Sequence, residues 1–327
     1  MRRCAVPMLL LFVAGPAAAE PPGADWLPPQ VREALKTSRG IKSQGVHLQG
    51  GRLERTVMRG DLPDALEAGR ATPVALRGAS AAGVGEGPAP LQAEIVRVTY
   101  AECRSRGAGL PLFELRIGGQ NPCAGQSISA SADDPTLSPC ERRNFDRFTG
   151  MAVAIPGAFG ARGEYVAAGA QPFYSFACVS GVLAKCVRWG YGAREALFGA
   201  CVRAAHADYC GTGRSFTCPG TRIDILDQAR RNLRAAASDG QVLEADWSAD
   251  GAVCLDAPRL PGCVSPAQRA ALVKEIQAEC QRAGRALTLG CPKTCDDPGQ
   301  TCGRALRTYT YLGQGSTCAT SAEICKP

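Results

Sequence analysis

Seventeen cysteines in 327 residues constrain this chain more than any other feature. Cys4 lies in a stretch built like a cleavable leader: Arg2 and Arg3 supply a charged start, Met8 to Ala14 a short apolar run, and Ala17-Ala18-Ala19 a small-residue cleavage site before Glu20. Without residues 1–19 sixteen cysteines remain, an even number that reads as up to eight disulfides in an oxidising compartment. They are Cys103, Cys123, Cys140, Cys178, Cys186, Cys201, Cys210, Cys218, Cys254, Cys263, Cys280, Cys291, Cys295, Cys302, Cys318 and Cys325, with connectivity open. Cys4 precedes the apolar run, so it is not the lipid-bearing cysteine that follows a lipoprotein leader. The expectation is an exported protein, periplasmic or extracellular, without a membrane span.

The remaining 308 residues (327 less 19) are enough for two or three domains. Cystines therefore reinforce a core here instead of replacing one, each adding about 2 to 4 kcal/mol. The net charge of +7 comes from scattered arginines. Basic residues form no run of five and are not interleaved with stacking aromatics, so nucleic acid is not an expected partner.

Residues 20–90 read as a Pro-rich tail with a short helix from Pro29 to Thr37, a five-residue pattern over Val46 to Gly60 that places Leu48, Leu53 and Met58 alike, a possible further unit at Leu76-Arg77-Gly78, and a linker over 79–90. The pattern resembles pentapeptide repeats, which build a β-helix, but three units fit an ordinary strand and hairpin equally well. Residues 91–172 read as β-rich: Ile95 to Tyr100 is a β-branched run, and Phe113, Leu115 and Ile117 alternate with Glu114, Arg116 and Gly118. Glu164 to Ala167, Pro172 to Val179 and Val182 to Arg188 carry further strand signals, the last two flanking a turn at Ser180-Gly181.

Helical spacing follows at Leu197, Ala200, Cys201, Ala204 and Ala205, and again at Ile223, Leu226, Ala229, Leu233 and Ala236, ended by Gly240. Gln241 to Trp247 and Ala252 to Leu255 predict a hairpin turning at Ala249-Asp250-Gly251. Over 263–327 a helix starts at Ser265-Pro266, buries Leu272, Val273, Ile276 and Cys280, and stops at Gly284. The cysteines from Cys280 onward then predict a self-contained, cystine-stapled appendage.

Spaced signatures run through the middle of the chain: Phe176-Ala-Cys178, Lys185-Cys186-Val-Arg188-Trp189-Gly190-Tyr191, Ala200-Cys201-Val-Arg203, Ala207-Asp208-Tyr209-Cys210-Gly211, Gly220-Thr-Arg-Ile223-Asp224, Glu244-Ala245-Asp-Trp247 and Gly251-Ala252-Val-Cys254. Over residues 173–260 this resembles the ADYC domain, a bacterial family named for the four-residue motif. The resemblance implies an exported protein and brings no catalytic residues with it. The expected fold class is α+β: a β-rich N-terminal half, a disulfide-stapled α+β domain over 173–262 and the small helical appendage.

Asp208 ends a helix, where a carboxylate opposes the helix dipole. Partners must hold it, and Arg203, Arg188 and the N–H groups of the Gly211 to Arg214 turn are within reach in sequence. The alternative makes Asp208 a catalytic acid or base with Asp224, Asp227 or His206, since hydrolysis needs two such groups in different environments. His206 and His47 are the only histidines, and no Gly-x-Ser-x-Gly elbow is present, which argues against imidazole-based metal or serine chemistry. Gly211-Thr-Gly213 is too short for a phosphate loop. Trp189, Tyr191 and Arg203 are candidates for binding a ligand of the envelope or extracellular space, although core packing suits the two aromatics and Trp247 better. Cys291, Cys295 and Cys302 could hold zinc only if reduced, and no metal or other cofactor is expected. The leading expectation is a non-catalytic binding or structural protein.

Overall fold

The computed structural model describes residues 57–60, 80–84, 90–101, 110–129, 132, 137, 139–159, 165–166, 174–192, 196–217, 223–227, 241–259, 266–292 and 306–311. It is a mixed α+β, sheet-rich structure. The expected leader, the helix expected over 29–37, most of the five-residue pattern and His47 lie outside the described residues.

Six antiparallel strands close a barrel in the order β1 (Val57–Gly60), β2 (Ser80–Val84), β3 (Pro90–Ala101), β4 (Leu110–Ile117), β5 (Ala152–Pro156), β8 (Tyr174–Cys178). The longest pairing, β3 with β4, joins the two segments whose β-branched and alternating patterns are plainest in the sequence. A register shift between Ile95 and Arg97 bends β3 there, as an extra residue in one strand does. One face of these strands buries Ile95, Val98, Phe113, Leu115 and Phe176, with Phe113 and Phe176 edge to face at 5.8 Å. The opposite face contributes Leu112, Met151, Val153, Ile155 and Ala177 to the larger core beneath the helices. Cys123–Cys178 fastens the loop after β4 to β8. A separate two-stranded ribbon pairs β6 (Ala158–Phe159) with β7 (Tyr165–Val166).

Two expectations change in this region, and one that was left open is narrowed. Of the five-residue pattern only Val57–Gly60 is described; it pairs antiparallel with both β2 and β8, which fits the ordinary-strand alternative and not a coil of a β-helix. Ser80–Val84, inside the expected linker, is a strand held between β1 and β3; pairing on both sides overrides the weak propensity of Ser-Ala-Ala-Gly-Val. Val182–Arg188 is a helix, not a strand. After the short helices α1 (Pro139–Arg143) and α2 (Phe145–Phe148), this α3 begins at Gly181, whose extended backbone makes it the N-cap and whose carbonyl accepts from Lys185 N–H at 2.9 Å. Leu183, Ala184, Cys186 and Val187 then fall on its buried side.

Helix α4 (Ala196–His206) lies against α3, joined by Cys186–Cys201. The second sheet has the order β12 (Thr288–Leu289), β11 (Gly251–Leu255), β10 (Gln241–Ser248), β13 (Leu306–Tyr311), β9 (Asp224–Leu226). The hairpin of β10 and β11 forms where Asp-Gly predicted it. Asp224–Leu226, expected to open a helix, is instead an edge strand on β13; an apolar pair three residues apart is too little to establish a helical period.

Helix α5 (Pro266–Arg282) packs through Ile276 and Cys280 and leaves most of its surface exposed. Gly284 follows in the left-handed region at φ 69°, as expected. The segment is not a self-contained appendage. Cys280 bonds to Cys210 and Cys291 to Cys254, so both bridges run back into the preceding domain, and β13 enters its sheet between β10 and β9. Four disulfides thus account for eight cysteines; Cys103, Cys218, Cys263, Cys295, Cys302, Cys318, Cys325 and the Cys140 side chain lie outside the described residues.

Candidate functional site: the end of helix α4

The carboxyl end of α4 is where the chain concentrates buried charge. Ala207 takes φ 51°, and two hydrogen bonds close the helix: Ala207 N–H to the Ala204 carbonyl at 3.1 Å and Asp208 N–H to the Arg203 carbonyl at 2.9 Å. This 5→2 and 6→1 pair is the Schellman arrangement, normally built on glycine. Here the left-handed position carries a fully buried methyl group instead.

Asp208 is fully buried and makes a salt bridge to Arg203 Nη1. Its other bonds come from the backbone: Thr212 N–H donates to Oδ1 and Gly213 N–H to Oδ2, each at 3.0 Å. Burial pushes its carboxyl above the ordinary value against the opposing pull of Arg203 and those two N–H groups. Two of the partners named from sequence, Arg203 and the 211–214 turn, are therefore the ones found. Arg188 instead pairs with Glu141 on α1, and burial lowers its pKa against that carboxylate.

Tyr209 points into the core, stacked on Trp247 with centroids 5.2 Å apart. Its hydroxyl donates to Glu244 Oε1 at 2.9 Å and accepts from Arg259 N–H at 2.8 Å. Burial and then the Glu244 charge raise its pKa well above that of a free phenol. Arg259 returns Nη2 to Glu244 Oε2 at 2.9 Å and to the Ala204 carbonyl at 2.8 Å, capping α4 with a cation where the dipole favours one. Glu244 occupies the register shift between Leu243 and Ala245 in β10, and the extra residue sends its side chain toward α4.

Cys210 carries the bridge to α5, and Gly211 at φ 66° brings the loop against the hairpin turn. A Cβ on Gly211 would sit 1.8 Å from the Asp250 carbonyl oxygen, and one on Gly251 would lie 2.7 Å from the Tyr209 carbonyl oxygen. Ala252 N–H donates to that Tyr209 carbonyl at 2.9 Å, and Arg203 Nε donates to the Ala249 carbonyl at 3.1 Å. The buried Arg285 Nη1 fills the notch beside both glycines. Thr212 Oγ1 donates to Glu279 on α5 at 3.0 Å, and Arg214 pairs with Glu275 and Glu279.

The other sequence candidates have separate partners. Asp224 accepts from Gln241 Nε2 at 2.9 Å, and Asp227 accepts from the Tyr191 hydroxyl at 2.6 Å. Both carboxyls are buried. His206 is buried too; desolvation, then the charges of Arg203 and Arg259, lower its pKa to about 3, so it is neutral at physiological pH. Tyr191, Trp247 and Arg203 are buried, while Trp189 is half-buried beneath Lys185 Nζ at 4.8 Å. Cys291 is spent in its bridge to Cys254, which takes one sulfur from the Cys291, Cys295, Cys302 zinc set. Asp246 Oδ2 lies 3.5 Å from Cys254 Sγ, but that carboxylate already pairs with Arg307.

Sequence reading missed Glu244, Arg259, Asp246 and Arg307. Two acids in a strand that also carries Trp247 were a usable signal, because acids on a buried strand require cationic partners.

The chain carries an ADYC domain: the model of that family matches residues 122–261. The match begins well before the 173–260 stretch of resemblance and takes in β5, β8 and the Cys123–Cys178 bridge. No curated protein and no solved structure matches the chain.

Proposed function

We propose that this is an exported, disulfide-braced protein whose ADYC domain is a non-catalytic structural or binding element of the cell envelope or extracellular space. One observation carries the reading: the four motif residues each make a different internal connection. Ala207 closes α4, Asp208 gathers Arg203 and the 211–213 loop, Tyr209 joins Trp247, Glu244 and Arg259, and Cys210 holds α5. Catalysis needs an acid or base that substrate can reach, whereas Asp208, His206 and Asp224 all face inward. The leader-like segment and the disulfides support export.

Asp208→Asn tests this. Asparagine keeps one side-chain oxygen where Asp208 has two, so the buried Arg203 and the Thr212 and Gly213 N–H groups no longer all find an acceptor, at about 1 to 3 kcal/mol for each buried donor left unsatisfied. A structural role predicts a large fall in melting temperature; an envelope hydrolase using Asp208 would keep its melting temperature and lose turnover on glycan or ester substrates. Export is tested by the mass of the mature protein, expected to begin at Glu20.

A further inference from the structure

The ADYC match ends at residue 261, yet the sheet that holds its β9, β10 and β11 has an interior strand from beyond that point. β13 pairs with β10 through six partners, from Gln241↔Tyr311 to Trp247↔Leu306, and with β9 from Arg307↔Leu226 to Tyr309↔Asp224. Take β13 away and β9 has no neighbour in the sheet order, while one whole edge of β10 stands open. The acceptor also carries buried groups that only the incoming strand satisfies in the described sheet. Asp246 accepts from Arg307 Nε at 2.7 Å and Nη2 at 2.9 Å, and the Trp247 indole N–H donates to Thr308 Oγ1 at 2.7 Å. Leu306, Thr308 and Thr310 are buried on alternate positions of the donor.

We propose that the slot between β9 and β10 is a strand-binding site for residues 306–311, and that a second copy of this chain can fill it by exchange. Main-chain pairing supplies the binding, as in other strand additions, and the Asp246–Arg307 pair supplies selection at one position. Cys291 is fixed by its bridge to Cys254 and Pro292 accepts from Arg307 Nη2 at 2.8 Å; the steps from Pro292 to Leu306 span up to about 46 Å when extended, a reach that requires Cys295 and Cys302 not to be bridged into the body of their own chain. The donor in its own chain has the higher effective concentration, so exchange needs high protein concentration or an acceptor that rejects its own strand. The proposal is independent of whether the ADYC domain is catalytic.

Reciprocal charge variants of the full chain create that rejection. Arg307→Asp places two carboxylates at the pair and Asp246→Arg places two guanidiniums there. Mixed, the two chains restore opposite charges only by exchanging strands. The expected result is a one-to-one dimer by light scattering that neither variant forms alone, with its melting temperature raised toward wild type. A mixture that stays two monomers with unchanged melting overturns the proposal. Should either variant fail to fold, wild-type chains labelled with 14N and 15N, unfolded in urea with disulfides intact and refolded together at high concentration, decide the matter. Cross-links between residues 241–247 of one label and 306–311 of the other support exchange, and cross-links confined to one label refute it.

Discussion

His206 makes the stability of this protein depend on pH in a window where few other groups titrate. In the folded chain its pKa is about 3, because it is buried beside Arg203 and Arg259; in the unfolded chain it takes the ordinary value near 6.5. As pH falls below about 6.5 the unfolded state gains a proton that the folded state refuses, so stability is lost on acidification and the loss is complete near pH 3. At about 1.4 kcal/mol per pH unit, the span corresponds to about 5 kcal/mol, of which about 2 kcal/mol falls between pH 7 and pH 5. Asp208 works in the opposite sense, since its raised value favours the folded state on acidification, but it does so with or without His206. The assay is urea unfolding of the disulfide-intact chain at pH 7 and pH 5, for wild type and His206→Gln. Glutamine does not titrate, so its slope with pH should be flatter by about 2 kcal/mol across that interval, whatever constant offset the substitution adds. Parallel pH dependences would refute the reasoning, and would mean that His206 is protonated in the folded protein.

Other substitutions test the rest of the α4 junction. Gly211→Ala should destabilise by about 3 kcal/mol or more, read as a loss of folded yield or a large drop in melting temperature, since the added carbon collides with the Asp250 carbonyl at a positive φ. Ala207→Gly should stay within about 1 kcal/mol of wild type by urea unfolding, because relief of left-handed strain worth about 1 to 2 kcal/mol offsets a lost buried methyl and added chain entropy. Paired Cys210→Ala and Cys280→Ala should cost about 4 kcal/mol, the loop-closure estimate for a separation of 70 residues, measured by the same unfolding midpoint.

Local pattern carried part of this architecture. The alternation in β4, the Asp-Gly turn between β10 and β11, and the spacing of Leu197, Ala200, Cys201 and Ala204 in α4 each depend on neighbours close in sequence, and each was legible. α3 was not, because seven residues opening with Val182 and closing on Val187-Arg188 fit a strand as well as two turns of helix; the cap at Gly181 and the Cys186–Cys201 bridge decide it. β9 and β13 were hidden for a different reason. Their pairing joins segments about eighty residues apart, and nothing within Ile223 to Leu226 announces a partner at Arg307 to Tyr309. At the site, Asp208 was legible because a carboxylate at a helix end demands partners. The Glu244–Tyr209–Arg259 network was not, since a strand bulge positions Glu244, and bulges follow from pairing rather than from composition.

The central claim is that the ADYC motif fastens the interior of this protein together, with the segment after residue 261 bound into it. Its most direct test is disulfide mapping of the full-length protein, alkylated under denaturing conditions without reductant and digested. The account predicts a peptide linking Cys210 to Cys280 and another linking Cys254 to Cys291, with none of these four alkylated. Finding Cys280 and Cys291 bonded only to cysteines further along the chain, or Cys210 free, would contradict it.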